Sequence, residues 1–284
     1  MDPANTGYKK FENREFPMTD KNFALIREVA AQFTGIVLTD HKREMVYSRL
    51  ARRIRQLGLR DFDEYCGLLC QPAHSEHSEF INAITTNLTA FFREPHHFEQ
   101  LKADILPEFY RRNASSRKLR IWSAGCSTGM EPYSLAMILR ESHFGNNWDN
   151  KILATDLDSK VLATAAKGEY ALDKLEGVSD SRFQKWFLKS KHNNLVRIKD
   201  TVKELVRFNR LNLLEDWPMK GKFDIIFCRN VVIYFNKDTQ RKLFDRYADV
   251  MVDGGYLFIG HSESLNTVTD RFEGLGKTVY RKIQ

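Results

Sequence analysis

Apolar residues recur every three or four positions over the first third of the chain, and this spacing predicts a run of helices. Thr19 and Asp20 offer an N-cap ahead of Phe23, Ile26, Ala30 and Phe33, and Gly35 supplies the stop. A second helix is expected from Asp40 to Leu57, on the stripe Val46, Leu50, Ile54 and Leu57, ended by Gly58. Asp61 opens a third helix through Leu69, and Phe80, Ile81, Ile84 and Leu88 mark a fourth. Pro95, following Glu94, starts a fifth that faces the core through Phe98, Leu101 and Ile105.

From Lys118 onward the pattern changes to short apolar runs separated by helical ones. Strands are expected at 119–122, 151–156, 206–208, 223–228, 256–259 and 278–280. Helices fall between them at 131–141, 160–167 and 237–251, the last followed by a Gly254-Gly255 turn. Strands alternating with helices imply a largely parallel, doubly wound α/β sheet covered on both faces. Residues 173–201 break the rhythm and are read as a small antiparallel insertion. The expected organisation is a loose tail at 1–18, a helical domain at 19–90 and an α/β domain at 91–284.

Composition narrows the class. The 284 residues carry 42% hydrophobic and 29% charged side chains, as a globular protein does. No apolar run approaches the roughly 20 residues of a membrane span, and residues 1–20 lack the apolar core of a secretory signal. The four cysteines show no zinc-ligand spacing and are read as buried free thiols in a reducing cytoplasm; no metal site is expected. A formal charge of +7 points to an acidic partner, without choosing between nucleic acid, a membrane surface and protein.

In an open α/β sheet, ligands bind beyond the carboxyl ends of the strands. The first strand runs into Ser123-Ala124-Gly125-Cys126-Ser127-Thr128-Gly129-Met130-Glu131. Gly125 and Gly129 would let a ligand lie close to the backbone. The turn lacks both the GxGxxG pyrophosphate spacing and a P-loop lysine, and Glu131 would repel phosphate while attracting an ammonium group. The second strand ends at Asp156, whose carboxylate can take both hydroxyls of a ribose; it can also serve as a helix cap. A ligand with an adenosine ribose, a cationic amino acid end and no phosphate is S-adenosylmethionine.

Four segments carry a family resemblance: 85–94 (TTNLTAFFRE), 122–134 (WSAGCSTGMEPYS), 223–235 (FDIIFCRNVVIYF) and 260–263 (GHSE). They resemble the bacterial chemotaxis receptor methyltransferase family, CheR, over roughly residues 20–280 and in the right order. The resemblance implies a class I S-adenosylmethionine-dependent methyltransferase, with a Rossmann-like sheet whose last strand is antiparallel, an N-terminal all-α domain and a small β insertion. It implies a protein-glutamate O-methyltransferase that esterifies glutamates on the cytoplasmic helical bundle of chemoreceptors. Carried over, Glu131 would hold the methionine end of the cofactor and Asp156 the ribose, with Gly125 in the turn. Asn212 and Leu213 would flank the adenine, and Arg229 and Asn230 would line the floor beside the methyl. Asn87, Thr89 and Arg93 would reach in from the segment joining the domains.

A glutamate carboxylate has a usual pKa of about 4.3 and needs no general base at neutral pH. The remaining work is alignment and removal of water. Arg93 is expected to orient the carboxylate through paired hydrogen bonds and Tyr234 to donate a further one. His96 and His97 read as capping or surface groups.

On the second helix Arg49, Arg52 and Arg55 fan over roughly 120° at about 100° per residue, with Arg53 at their edge. This face is either solvated or a docking surface for an acidic receptor helix. Two other readings stand beside the main one. A nucleic-acid methyltransferase is disfavoured because Phe227-Cys228-Arg229-Asn230 matches neither the base-amine nor the cytosine-C5 active-site turn. A non-catalytic module that senses S-adenosyl ligands would not need the whole pocket. Some CheR proteins grip a receptor tail peptide through a glycine-rich loop in the insertion. The corresponding stretch here, 188–194, has no glycine, so tethering is not expected. A cytoplasmic monomer is the expectation.

Overall fold

The computed structural model describes residues 14–142, 147–190 and 193–283. Contacts divide the chain into two compact units, Met1–Thr86 and Asn87–Gln284.

The smaller unit holds α1 (Asp20–Thr34), α2 (Arg43–Leu57), α3 (Phe62–Leu69) and α4 (Glu76–Ile84), with a 3-10 turn at Asp40–Lys42. Thr19 caps α1 as expected: its hydroxyl accepts from the Asn22 N–H at 3.1 Å, while its own N–H donates to Oδ1 of Asn22 at 2.9 Å. Ile26, Val46, Leu50, Ile54, Phe62 and Phe80 are buried in its core. Two stripe residues depart from expectation: Leu57 is 40% and Leu88 78% exposed. α4 stops at Ile84 because Thr85 turns extended, which leaves Leu88 outside any helix. Of the expected tail, residues 1–13 lie outside the described residues. Phe16 and Met18 are buried, so its end packs instead of hanging free.

The larger unit begins with α5 (Pro95–Gln100), a π turn at Leu101–Ile105 and α6 (Leu106–Arg112). Pro107 has no N–H for the i−4 carbonyl, which accounts for the widened turn before it. Next come β1 (Lys118–Ala124), α7 (Met130–Glu141), β2 (Asp149–Asp156) and α8 (Ser159–Lys167). The insertion carries β3 (Glu169–Ala171), α9 (Asp180–Trp186), β4 (Phe187–Lys189) and β5 (Leu195–Ile198). It is antiparallel, as expected, in the order β3-β5-β4, but starts before residue 173; Lys191 and His192 lie outside the described residues. The chain continues through α10 (Asp200–Lys203), β6 (Val206–Arg210), β7 (Phe223–Cys228), α11 (Lys237–Asp249), β8 (Met251–Ile259), β9 (Phe272–Gly274) and β10 (Val279–Lys282).

Among the described residues the main sheet has seven strands in the order β6-β2-β1-β7-β8-β10-β9. The first five are parallel, and β10 runs antiparallel to both neighbours, giving the reversed last strand. Alternation sends Ile121, Ile225 and Phe227 into one apolar layer and Trp122, Ile226 and Cys228 into the other. The pair β1 and β7 is thereby central, and its carboxyl ends open at one edge of both layers.

Two strand features were not expected. β8 begins at Met251, and Gly254-Gly255 lies within it as a bulge where the register slips between Phe223 and Ile225. β9 is too short to announce itself by alternation. Of the cysteines, Cys66, Cys126 and Cys228 are buried free thiols, but Cys70 is exposed. No helix among the described residues is long and apolar enough to cross a membrane.

Candidate active site

The carboxyl ends of β1, β2 and β7 meet at a set of turns bound to one another through side chains. After β1 the chain reverses through Gly125 (φ +88°), Ser127 (φ +49°) and Gly129 (φ +88°). The Gly125 and Cys126 N–H groups donate to the Thr155 carbonyl at 2.8 and 2.9 Å, which fixes the turn against β2. A Cβ on Gly125 would lie 2.4 Å from Cγ2 of Val231, and one on Gly129 2.8 Å from Cβ of Ala165. Close protein packing, not only ligand approach, therefore demands both glycines.

Asp156 closes β2 with its carboxylate turned into this loop. Oδ2 accepts the Ser127 N–H at 2.8 Å and Oδ1 the Asp158 N–H at 3.0 Å, and burial pushes its carboxyl above the usual range. Each oxygen keeps a lone pair for a hydroxyl. The cap of α8 is Asp158, not Asp156: its Oδ1 takes the Lys160 and Val161 N–H groups. Oδ2 of Asp158 also accepts from Asn87 Nδ2 at 2.8 Å, and Ser127 Oγ donates to the Asn87 carbonyl at 3.0 Å. Asn87 is thus stitched to the glycine turn; Thr89, two residues on, is half-buried.

Glu131 stands in the first turn of α7. It accepts from Ser123 Oγ at 2.7 Å and pairs with Arg229 Nη1 at 3.2 Å. Burial pushes its carboxyl up, against the pull of Arg229. Arg229, just beyond β7, is a buried strut: Nη2 donates to the Arg93 carbonyl at 2.5 Å and lies 3.3 Å from Glu94. Its guanidinium therefore ties the floor to Arg93 and to both acids. Arg93 itself is half-buried, with Nη1 bonded to the Leu88 carbonyl at 2.8 Å, and does not pair with Glu94.

Asn230 (φ +59°) follows, then a 3-10 turn at Val232–Tyr234. Tyr234 is half-buried and belongs to neither apolar layer of the sheet. Asn212 is buried beyond β6, with Oδ1 accepting from the Leu214 N–H at 3.1 Å and Nδ2 donating to Glu215 at 3.0 Å. Leu213 packs in the apolar layer with Trp122. All of these residues belong to the larger unit. Phe92, Glu94, Ser127 and Asn230 are non-glycine residues with positive φ, and strain of this kind gathers at functional turns.

Three groups escaped the sequence reading. Glu94 sits at the centre of a network with Arg229, His261 (3.0 Å) and His97 (3.5 Å). Burial would raise its carboxyl, but the bond from His261 and the charge of Arg229 outweigh it and hold the carboxyl at about 2. His97 is fully buried, not a surface group, and its Nε2 lies 2.8 Å from the Lys277 carbonyl. Burial, helped by Arg229, pulls His97 down to about 4 and keeps it neutral. Glu94, His96 and His97 bring possible ligand atoms within 4.8 Å of one another, but the Arg229 guanidinium already faces Glu94 and opposes a dication there. The third group is Glu263, which accepts the N–H groups following β7. The spacing of GHSE gave no sign of that bonding.

The basic face of α2 is largely used within the smaller unit. Arg49 Nη1 lies 2.7–3.2 Å from the carbonyls of Ala83, Ile84 and Thr85 and caps α4. Arg53 pairs with the buried Glu76 at 2.6 Å, and Arg55 with Glu15. Arg52 is exposed.

Residues 21–85 match the CheR methyltransferase all-alpha domain, and residues 87–281 match its SAM-binding domain. The chain belongs to the CheR methyltransferase family. A probable chemotaxis protein methyltransferase of Rhizobium etli is 46% identical over 252 residues, covering 87% of this chain and 94% of the relative. The chemotaxis protein methyltransferase of Escherichia coli is 43% identical over 267 residues, 93% and 91% of the two chains. Chemotaxis protein methyltransferase 2 of Pseudomonas aeruginosa is 42% identical over 281 residues, 98% and 99%.

S-adenosylmethionine is thus the cofactor of this CheR protein, and the residues fit it. Asp156 retains acceptor capacity for a ribose, and Glu131 is a half-buried carboxylate whose protein partners leave room in its valence for an ammonium group.

Proposed function

We propose that this CheR protein methylates glutamate side chains on the cytoplasmic helical bundle of chemoreceptors, forming glutamyl methyl esters. When bound, S-adenosylmethionine supplies an electrophilic methyl on a sulfonium. Asp156 holds the ribose end and Glu131 the amino acid end, with Asn212 and Leu213 beside the adenine. Arg93 orients the incoming carboxylate and Tyr234 adds a hydrogen bond. No residue needs to remove a proton, because the nucleophile is already an anion at neutral pH.

The observation that carries this reading is the double anchoring of the segment 87–93. Its first residue is bonded to the Ser127 turn and to Asp158, and the Arg93 carbonyl to Arg229. A carboxylate-orienting arginine is thereby held beside the acids suited to the cofactor. The test is transfer of labelled methyl from S-adenosylmethionine to chemoreceptor-containing membranes, followed by mild base. Base-labile release, lost in Arg93→Ala and Asp156→Ala, supports a glutamyl ester; cofactor binding without receptor labelling overturns it.

The same reading places the protein in the cytoplasm as a monomer, with receptor cytoplasmic domains as partners and no nucleic acid or membrane insertion. Arg52 is the most available member of the basic face for an acidic receptor helix. Receptors are recognised through the methylation region alone, since the β4–β5 connection lacks glycine; submicromolar binding of a receptor tail peptide would contradict this.

A further inference from the structure

Glu263 lies after β8, buried, with its carboxylate turned towards the end of β7. Oε1 accepts the N–H groups of Val231 (2.9 Å), Val232 (2.9 Å) and Ile233 (3.3 Å). Oε2 accepts those of Asn230 (3.0 Å) and Gly260 (2.5 Å). A run of consecutive backbone N–H groups converging on one point is an anion nest, here filled by the protein's own side chain. The turn it gathers is the one that carries Asn230 and Tyr234.

Two glycines show how little play that turn has. A Cβ on Gly260 would lie 2.5 Å from Nδ2 and 2.9 Å from the backbone N of Asn230. On the other side, Val231 is seated on Gly125 of the cofactor turn. The turn is wedged between the ends of β8 and β1, and Asn230 is held at φ +59°, a conformation that costs an asparagine little but still needs fixing. Backbone packing sets where the wedge sits, and Glu263 is the polar group that binds it there.

We propose that Glu263 is a positioning residue for methyl transfer. It fixes the height and tilt of the 230–234 turn, so that Asn230 and Tyr234 meet the incoming carboxylate in line with the methyl. It touches neither cofactor nor substrate. The proposal rests on the glutamyl-methylation reading for what the turn faces, and on the hydrogen bonds alone for what holds the turn.

Glu263→Gln keeps the size but turns an amide N–H towards two or three backbone N–H groups, whichever way it is placed. Misplacement of about 1 Å is enough to cost a hundredfold in an alignment-driven reaction. The expected result is a fall in kcat of at least tenfold on receptor membranes. Binding of S-adenosylhomocysteine, by calorimetry, stays within threefold, because Asp156 and Glu131 lie on other turns. Glu263→Asp keeps the charge and both oxygens and recovers part of the loss. Gly260→Ala leaves Glu263 in place but crowds Asn230, and gives the same split. A kcat within twofold of wild type in Glu263→Gln overturns the proposal. So does a parallel loss of kcat and homocysteine-cofactor binding in Glu263→Gln that Glu263→Asp does not relieve, since that marks a merely structural residue. Wild-type protein that labels no receptor glutamate overturns the functional reading instead, and the two failures are distinguished by that control.

Discussion

The guanidinium of Arg229 lies 3.2 Å from the carboxylate of Glu131, with both side chains largely withdrawn from water. Because Arg229 also bonds the Arg93 carbonyl, this pair joins the proposed ammonium-binding acid to the proposed carboxylate-orienting segment. Breaking a buried pair by removing one partner leaves an uncompensated charge. Glu131→Gln is therefore expected to weaken S-adenosylhomocysteine binding by at least tenfold, measured by calorimetry. Unchanged affinity would show that Glu131 serves only as the counter-ion of Arg229.

Asp156 makes a different kind of contribution. Its protein bonds come from backbone N–H groups, those of Ser127 and Asp158 among them, so Asp156→Ala would remove the proposed ribose acceptor and also loosen the Ser127 turn. Hydrogen bonds to a charged group contribute about 1.5–3 kcal/mol each, which predicts a loss of cofactor affinity of tenfold or more. Asp156→Asn, which keeps one acceptor oxygen, is expected to fall between the two.

Arg93→Ala separates binding from turnover. The link to Arg229 runs through the backbone carbonyl of Arg93 and survives truncation of the side chain. Cofactor affinity is expected to hold within about threefold while kcat drops roughly a hundredfold, the scale of a lost orienting contact. Equal losses in both would move Arg93 to the cofactor.

His97 predicts an acid-side stability profile. Its folded-state value, about 4, lies below its usual 6.5, so protonation favours the unfolded chain. The penalty is absent above pH 6.5 and grows as pH falls towards 4, at up to about 1.4 kcal/mol per pH unit for one proton. Glu94, held at about 2, adds stability above the ordinary carboxylate range that is lost as pH falls through that range to about 2. His97→Gln keeps a donor for the Lys277 carbonyl and removes the first effect. Urea unfolding of the variant between pH 6.5 and 4.5 should show a shallower slope than wild type.

In the helical unit, Arg53→Ala strands the buried Glu76, which is then left with Tyr65 at 3.0 Å as a neutral donor. A cost of about 3 kcal/mol is expected by urea unfolding, against less than about 0.5 kcal/mol for the exposed Arg52→Ala. If Arg52 docks the receptor, its variant will lower receptor labelling without this loss of stability.

The parallel strands, the glycine turn and the two acids could be read from the chain because each has a local signature. Short runs of alternating or continuous apolar character define β1, β2 and β7, and an acid at a strand end needs no partner to be noticed. The network around Glu94 could not be read, since Glu94, Arg229 and His261 are far apart in sequence and meet only when the sheet forms. The same holds for Arg49 and Arg53: their helix pattern says outward, but their long side chains reach back to the end of α4 and to Glu76. Gly254-Gly255 has the sequence signature of a turn and forms a bulge, because both features favour glycine.

The bonds among Asn87, Ser127, Asp156 and Asp158 are made by the protein for itself, before any ligand arrives. In the proposed complex this frame presents Asp156 to the ribose, which the spent cofactor shares with the fresh one. A cleft prepared in this way has no reason to release its product faster than it releases its reactant. The pace of receptor esterification should then follow the ratio of the two cofactor forms in the cell, and not the abundance of the methylated form by itself.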